Sequence, residues 1–145
     1  GGAGSIDALC QIYIDEAAAE GVRADVAFAQ AMKETGWLKY GGIVKIEQFN
    51  FAGLGALDGN GQGQCASFKT VQEGVRAQIQ HLKAYGSKEP LKNACVDPRF
   101  DKVTRGSALY VEWLGIKENP QGLGWATGEG YGFSIVDMIG KMTAM

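Results

Sequence analysis

The sequence predicts a mainly α domain of the α+β kind, a helical body carrying a small glycine-rich, β-containing lobe with a cleft between them. Three observations lead there. Apolar residues recur at helical spacing in several separate stretches. Residues 38–67 instead carry glycine too densely for helix interior. The glycine-rich stretch also interrupts the helical pattern directly after its most apolar helix, which inserts the lobe into the body.

The first helix runs from about Ser5 to Glu20, with Ser5 as a cap, Ile6, Leu9, Cys10, Tyr13, Ile14 and Ala17 on one face, and Gly21 as the stop. The second is the helix around which the rest is arranged. Asp25 is placed to cap it, because its carboxylate can accept from unpaired first-turn amides. Val26, Ala27, Phe28, Ala29, Ala31 and Met32 leave almost no polar face, which predicts a buried helix. Gly36 fits the residue after its end, since glycine enters the left-handed region freely. Glu34 lies in the last turn. A carboxyl group among apolar neighbours resists ionisation, which is the condition for a general acid at neutral pH; the plainer alternative is a solvated Glu at a helix end.

Short β-ribbon and loops are expected after Leu38, with hairpin-type turns at Asp58-Gly59 and Asn60-Gly61. Thr70 with Glu73 forms a capping box. It opens a helix with Val71, Val75, Ile79 and Leu82 on one face and Gly86 at its end. His81 lies beside that stripe and reads as structural or solvent-exposed. Asp97-Pro98 marks a turn, Phe100 to Val103 a short helical turn, and Ser107 to Leu114 another helix closed by Gly115. The last helix is expected from about Tyr131 to Met142. That makes about five or six helices.

Length and composition bound the function. The 145 residues suit one domain, residues 6–145, behind a linker or tag remnant at residues 1–5, Gly-Gly-Ala-Gly-Ser. A 46% hydrophobic share supports a core, and a net charge of −2 offers no basic footprint for nucleic acid. No run is long enough for membrane insertion. The three cysteines, Cys10, Cys65 and Cys95, and one histidine lack metal-type spacing, so neither a metal nor a cofactor is expected. Cys10 reads as a buried thiol, and pairing of Cys65 with Cys95 stays open.

Three segments carry more together than apart: Ala29 to Trp37 (AQAMKETGW), Asn50 to Leu54 (NFAGL), and Gly124 to Thr127 (GWAT) with Tyr131 a few residues on. Their order and spacing resemble the bacterial glucosaminidase domains of glycoside hydrolase family 73, within the lysozyme-like superfamily. Those domains carry a Q-x-x-x-E-[ST]-G-W-like helix end, an N-x-F-G-[IL]-like lobe segment and a Y-A-T-D-P-x-Y-like stretch before the final helix. The resemblance covers about Asp25 to Ile139.

The resemblance implies a lysozyme-like body and an endo-β-N-acetylglucosaminidase acting on peptidoglycan glycan strands as a monomer, secreted or associated with the cell wall. Glu34 would be the general acid that protonates the glycosidic oxygen. Gln30 belongs to the same motif and is placed with the substrate-binding residues. Asn50 and Phe51 would belong to a strand-like wall binding the N-acetyl sugar, and Tyr131 would line the cleft. Trp125 replaces a family tyrosine and would stack on a sugar face. Gly128-Glu129 stands where the family often has Asp-Pro, and Ala52 where an aromatic or Leu is common.

For the second carboxylate, which in an inverting enzyme lies about 6.5–9.5 Å from the acid, Glu47 is favoured by its position 13 residues after Glu34. Asp58, Glu118 and Glu129 are other candidates, and the substrate acetamide can replace a second carboxylate. The same scaffold also fits a lytic transglycosylase or muramidase. A non-catalytic glycan-binding module and a helical interaction domain are the readings from other classes.

Overall fold

In the computed structural model, residues 6–36, 49–54 and 67–143 are described. They form four α-helices, α1 (Ile6–Glu20), α2 (Ala24–Thr35), α3 (Val71–Gly86) and α4 (Tyr131–Thr143), with 3-10 turns at Phe100–Lys102 and Val111–Leu114. The domain is mainly helical, as the periodicity predicts. Of the expected β-containing lobe at residues 38–67, only residues 49–54 and 67 are described; the rest, with Glu47, Asp58 and Cys65, lies outside the described residues. Among the described residues the β content is one isolated parallel bridge, Gly115 to Ala126.

Helix α2 is central and packs against α1, α3 and α4. Ala27, Ala29 and Ala31 are fully buried, and side chains this small let neighbouring helices approach closely. Around them pack Leu9 and Tyr13 of α1, Val75 and Ile79 of α3, and Ile135 of α4.

Two expectations about local structure are corrected. Helix α2 begins at Ala24 with Arg23 as its cap residue, and no side chain caps it. Asp25 sits inside the first turn, paired with Arg23 at 2.6 Å, where a negative charge still favours the positive helix end. The Arg23 hydrogen bond holds the Asp25 carboxyl below its ordinary value. Residues 107–114 are not a helix; only Val111–Leu114 make a 3-10 turn. Their backbone groups are drawn elsewhere: Ala108 N donates to Tyr85 O, and the Asn119 amide donates to the carbonyls of Ser107 and Trp113. Thr70 does cap α3, its hydroxyl accepting from Glu73 N at 3.0 Å. Cys10 is half-buried rather than buried, Cys95 is exposed, and both are free thiols.

A charged seam joins α1 to α3. Glu16 takes a two-pronged pair of hydrogen bonds from Arg76 and a third from Gln72. One turn on, Glu20 and Lys83 form an ion pair at 2.9 Å with side chains 0% and 4% exposed. Glu20 also accepts from the amides of Lys92 and Asn93, and Lys83 donates to Pro90 O. Burial alone would raise both carboxyls, but these donors outweigh it and hold them below the ordinary 4.5.

Stability predictions of two kinds follow from this packing, the first on the charged seam. Glu20→Gln leaves Lys83 charged and buried without its counterion, and denaturant melts should show a loss of about 3–5 kcal/mol. Because the folded values of Glu16 and Glu20 are depressed, their contribution is present above 4.5 and lost as pH falls through the lower folded values. The wild-type melting temperature should therefore drop on acidification below that point, and a flat profile there counts against the seam.

The second concerns Gly132. A Cβ at this residue of α4 would run into the Val111 carbonyl oxygen and the Glu112 Cα. Both are backbone atoms and cannot rotate away. Alanine is the better helix former by about 1 kcal/mol, yet Gly132→Ala should destabilise by about 1–3 kcal/mol. A thermal melt in which the variant gains stability overturns this contact.

Candidate active site

Gln30 and Glu34 are four residues apart and so lie on one face of α2, one turn from each other. The helix stops directly after them. Gly36 adopts the left-handed conformation at φ 57° and ψ 49°, its N–H donates to Met32 O, and the Thr35 hydroxyl donates to Ala31 O at 2.7 Å. Gln30 is fully buried and Glu34 is exposed at the rim. The apolar surroundings expected around Glu34 are therefore not provided by the described residues: Glu34 stands on the open side of a last turn whose Met32 and Thr35 are buried.

What the structure does give Glu34 is a fixed partner. Tyr131, the first residue of α4, donates its phenol proton to Glu34 Oε1 at 2.8 Å. The Tyr131 hydroxyl oxygen in turn accepts from Gln30 Nε2 at 2.9 Å. Tyr131 is 5% exposed. Burial first, and then the Glu34 charge and hydrogen bond, push its phenol well above the ordinary 10.0, with only the Gln30 donation opposing. It is thus held neutral, as a donor. Lys33 stands 5.6 Å from the Tyr131 ring centre and donates to Ser134 of α4, tying the two helices again beside the pair.

The turn before α4 aims the tyrosine. Gly130 has φ 69°, a conformation that suits glycine, and its N–H donates to Glu118 Oε2 at 3.2 Å. Glu118, one candidate for a second carboxylate, is in this way engaged with the backbone of the turn.

Asn50 and Phe51 lie in a folded loop, not in a strand-like wall. The Asn50 amide donates to Leu54 O at 2.9 Å and its oxygen accepts from Leu54 N at 3.0 Å, which closes residues 50–54 on themselves. Asn50 is 1% exposed and Phe51 2%; the Phe51 ring packs edge-on against Tyr13 at 6.4 Å. Trp125 is half-buried, set edge-to-face on His81 at 4.5 Å, and its indole N–H donates to Ala52 O. It pins the loop to α3. His81 is buried and paired with Asp97 at 2.7 Å, a structural setting. Gln30 likewise sits behind the site rather than on an open surface, its amide taken up by Gln78 and Tyr131.

The structure thus brings together Glu34, Tyr131 and Gln30, and places Asn50, Phe51 and Trp125 in a second cluster around the 50–54 loop. The periodicity had not singled out Gln78, although it precedes the apolar Ile79 and follows Val75 by three; a polar residue on a core-facing arc is the signal that marks it. Two depressions, of about 240 Å³ between Val22, Val26, Leu82 and Tyr110 and about 180 Å³ between Cys10, Phe28 and Met142, lie elsewhere. Among the described residues, no group of three or more His, Cys, Asp or Glu side chains could hold a metal ion, and no helix is long and apolar enough to cross a membrane.

A buried phenol holding a carboxyl at a helix end can orient an acid towards a bound substrate. The family model described as glucosaminidase, mannosyl-glycoprotein endo-beta-N-acetylglucosaminidase, matches residues 10–144. A curated relative from Borreliella burgdorferi, described as an uncharacterized protein, is 50% identical over 106 residues, 73% of this chain and 51% of the relative. The chain spans about half the length of that relative. No solved structure matches. With nearly its whole length matched, the chain belongs to the glucosaminidase family of glycoside hydrolases.

Proposed function

We propose that this domain is an endo-β-N-acetylglucosaminidase of bacterial peptidoglycan, with Glu34 as general acid. The observation that carries the reading is the hydrogen bond from Tyr131 to Glu34 Oε1 in a chain of this family. With Oε1 held by a phenol donor, the carboxyl is oriented for its acid proton to reach the leaving group. There it meets the glycosidic oxygen as the sugar gains oxocarbenium character. Glu47 is proposed as the base that activates water, from its sequence position between α2 and Asn50. Trp125 supplies a half-exposed aromatic face for a sugar ring. Such a substrate places the enzyme at the cell wall, outside the cytoplasm.

Because Glu34 is exposed in the free domain, the bound glycan itself supplies the dry surroundings. Closing a sugar over the carboxyl strips its water and favours the neutral acid. The alkaline limb of kcat, which reports the complex, should then lie at higher pH than that of kcat/KM, which reports the free enzyme. Coincident limbs on purified wall glycan would remove this account of the acid.

Glu34→Gln keeps the size and loses the proton. Release of reducing N-acetylglucosamine ends should fall by about 10²–10⁴. Retention of more than about a tenth of wild-type turnover overturns the assignment, since a general acid contributes more than that. Anhydro-muramic ends would instead mark a transglycosylase.

A further inference from the structure

We propose that Tyr13, Gln78 and Gln30 are positioning residues, a buried one-way chain of donors that fixes the direction of the Tyr131 proton towards Glu34. The proposal rests on the reading of Glu34 as the acid and deepens it.

The direction of the chain is set by backbone. Gln78 Nε2 donates to the Ala27 carbonyl of α2 at 2.8 Å. A carbonyl only accepts, so the Gln78 nitrogen must be on that side and its oxygen on the other. The oxygen faces the Tyr13 hydroxyl, which donates to it. The second N–H of Gln78 donates to Gln30 Oε1 at 2.9 Å. With its oxygen so fixed, Gln30 presents its nitrogen to Tyr131 and donates to that hydroxyl at 2.9 Å. The Tyr131 oxygen is thereby occupied as an acceptor, and its one proton goes to Glu34 at 2.8 Å. Turning any amide over would set oxygen against oxygen, or nitrogen against nitrogen, in the interior. Gln30 and Gln78 are 0% exposed and Tyr13 1%, so such a fault has no water to relieve it.

The chain matters to the reaction because of what the last bond does as the proton leaves. A phenol donating to a neutral carboxyl makes an ordinary hydrogen bond. Donating to the carboxylate that forms on proton transfer, it makes a charge-assisted one, roughly twice as strong. That gain exists only as the reaction proceeds and so accelerates it. Donors lined up behind Tyr131 polarise one another and add to the effect.

The test is a double-mutant cycle on the purified domain, with kcat and KM measured separately on wall glycan. Gln78→Met keeps the length and removes the polar link. We expect kcat about tenfold lower with KM unchanged, the size of one lost hydrogen bond made in the transition state. In a Tyr131→Phe background, which lacks the receiving hydroxyl, Gln78→Met should cost nothing further in kcat. A purely structural Gln78 would lower kcat equally in both backgrounds, and that additive result overturns the proposal, as does an unchanged kcat in the single variant. If Gln78→Met fails to fold, Tyr13→Phe carries the same cycle from the far end, with a smaller loss that must vanish beside Tyr131→Phe. Glu34→Gln is measured in parallel: retention of more than about a tenth of wild-type turnover defeats the acid assignment itself, whereas a Glu34→Gln below that level with a silent Gln78→Met defeats only the positioning chain.

Discussion

The site depends on one phenol held between two helices that are far apart in sequence. Tyr131 joins α4 to α2 through Gln30 and Glu34, 101 and 97 residues away. Each neighbouring feature serves that contact. The left-handed Gly36 ends α2 just past Glu34, so the carboxyl stands at the rim. The turn at Gly130 starts α4 with Tyr131 already inside. Gly132 then lets α4 lie against the backbone of the Val111–Leu114 turn. A side chain at that glycine would lever α4 away, and the phenol with it.

The charged seam between α1 and α3 belongs to the same arrangement. Tyr13, Glu16 and Glu20 follow one another at three and four residues on α1, so they share a face. That face meets Gln78, Arg76 and Lys83 of α3. Buried ion pairs contribute little net stability over apolar packing, but a mispaired one is costly, and so they select a single register. Here the register they select is the one that sets Tyr13 opposite Gln78. Further along the same face of α1, the Tyr13–Gln78 bond opens the polar chain that reaches the site through Gln30 and Tyr131.

The parts of the fold legible in sequence are those governed by local chemistry. Helical spacing gave α1 to within a residue, Thr70 marked the start of α3, Gly36 the end of α2, and Tyr131 the start of α4. Where local pattern misled, a distant partner was responsible. Residues 107–110 have helical apolar spacing, yet Asn119 and the end of α3 capture their backbone groups. The resemblance placed Asn50 in a wall, whereas its side chain turns back on Leu54. Glu34 was legible through its motif, and its exposure only as the alternative of a solvated helix end, since the α2 sequence alone does not say what covers it. Tyr13 read as an apolar packing residue and Gln78 was not singled out; both belong to a chain of hydrogen bonds that forms only when α1, α2, α3 and α4 are all in place.

An exposed acid backed by a buried donor chain divides the work of catalysis. A carboxyl sealed permanently in an apolar pocket would be protonated at all times but also cut off from a polymeric substrate. On the proposed reading, Glu34 at the rim stays accessible to a long glycan, and the bound sugar supplies the desolvation. That arrangement leaves the orientation of the proton as the task of the protein, and orientation is what a rigid interior can supply. Water at the rim would let the carboxyl turn freely; a phenol whose own proton has one direction to go does not. The polarity that begins at a main-chain carbonyl of α2 therefore ends, four side chains later, on the group proposed to act on the sugar, and the helix that carries the acid also fixes the direction of the hydrogen bond it receives.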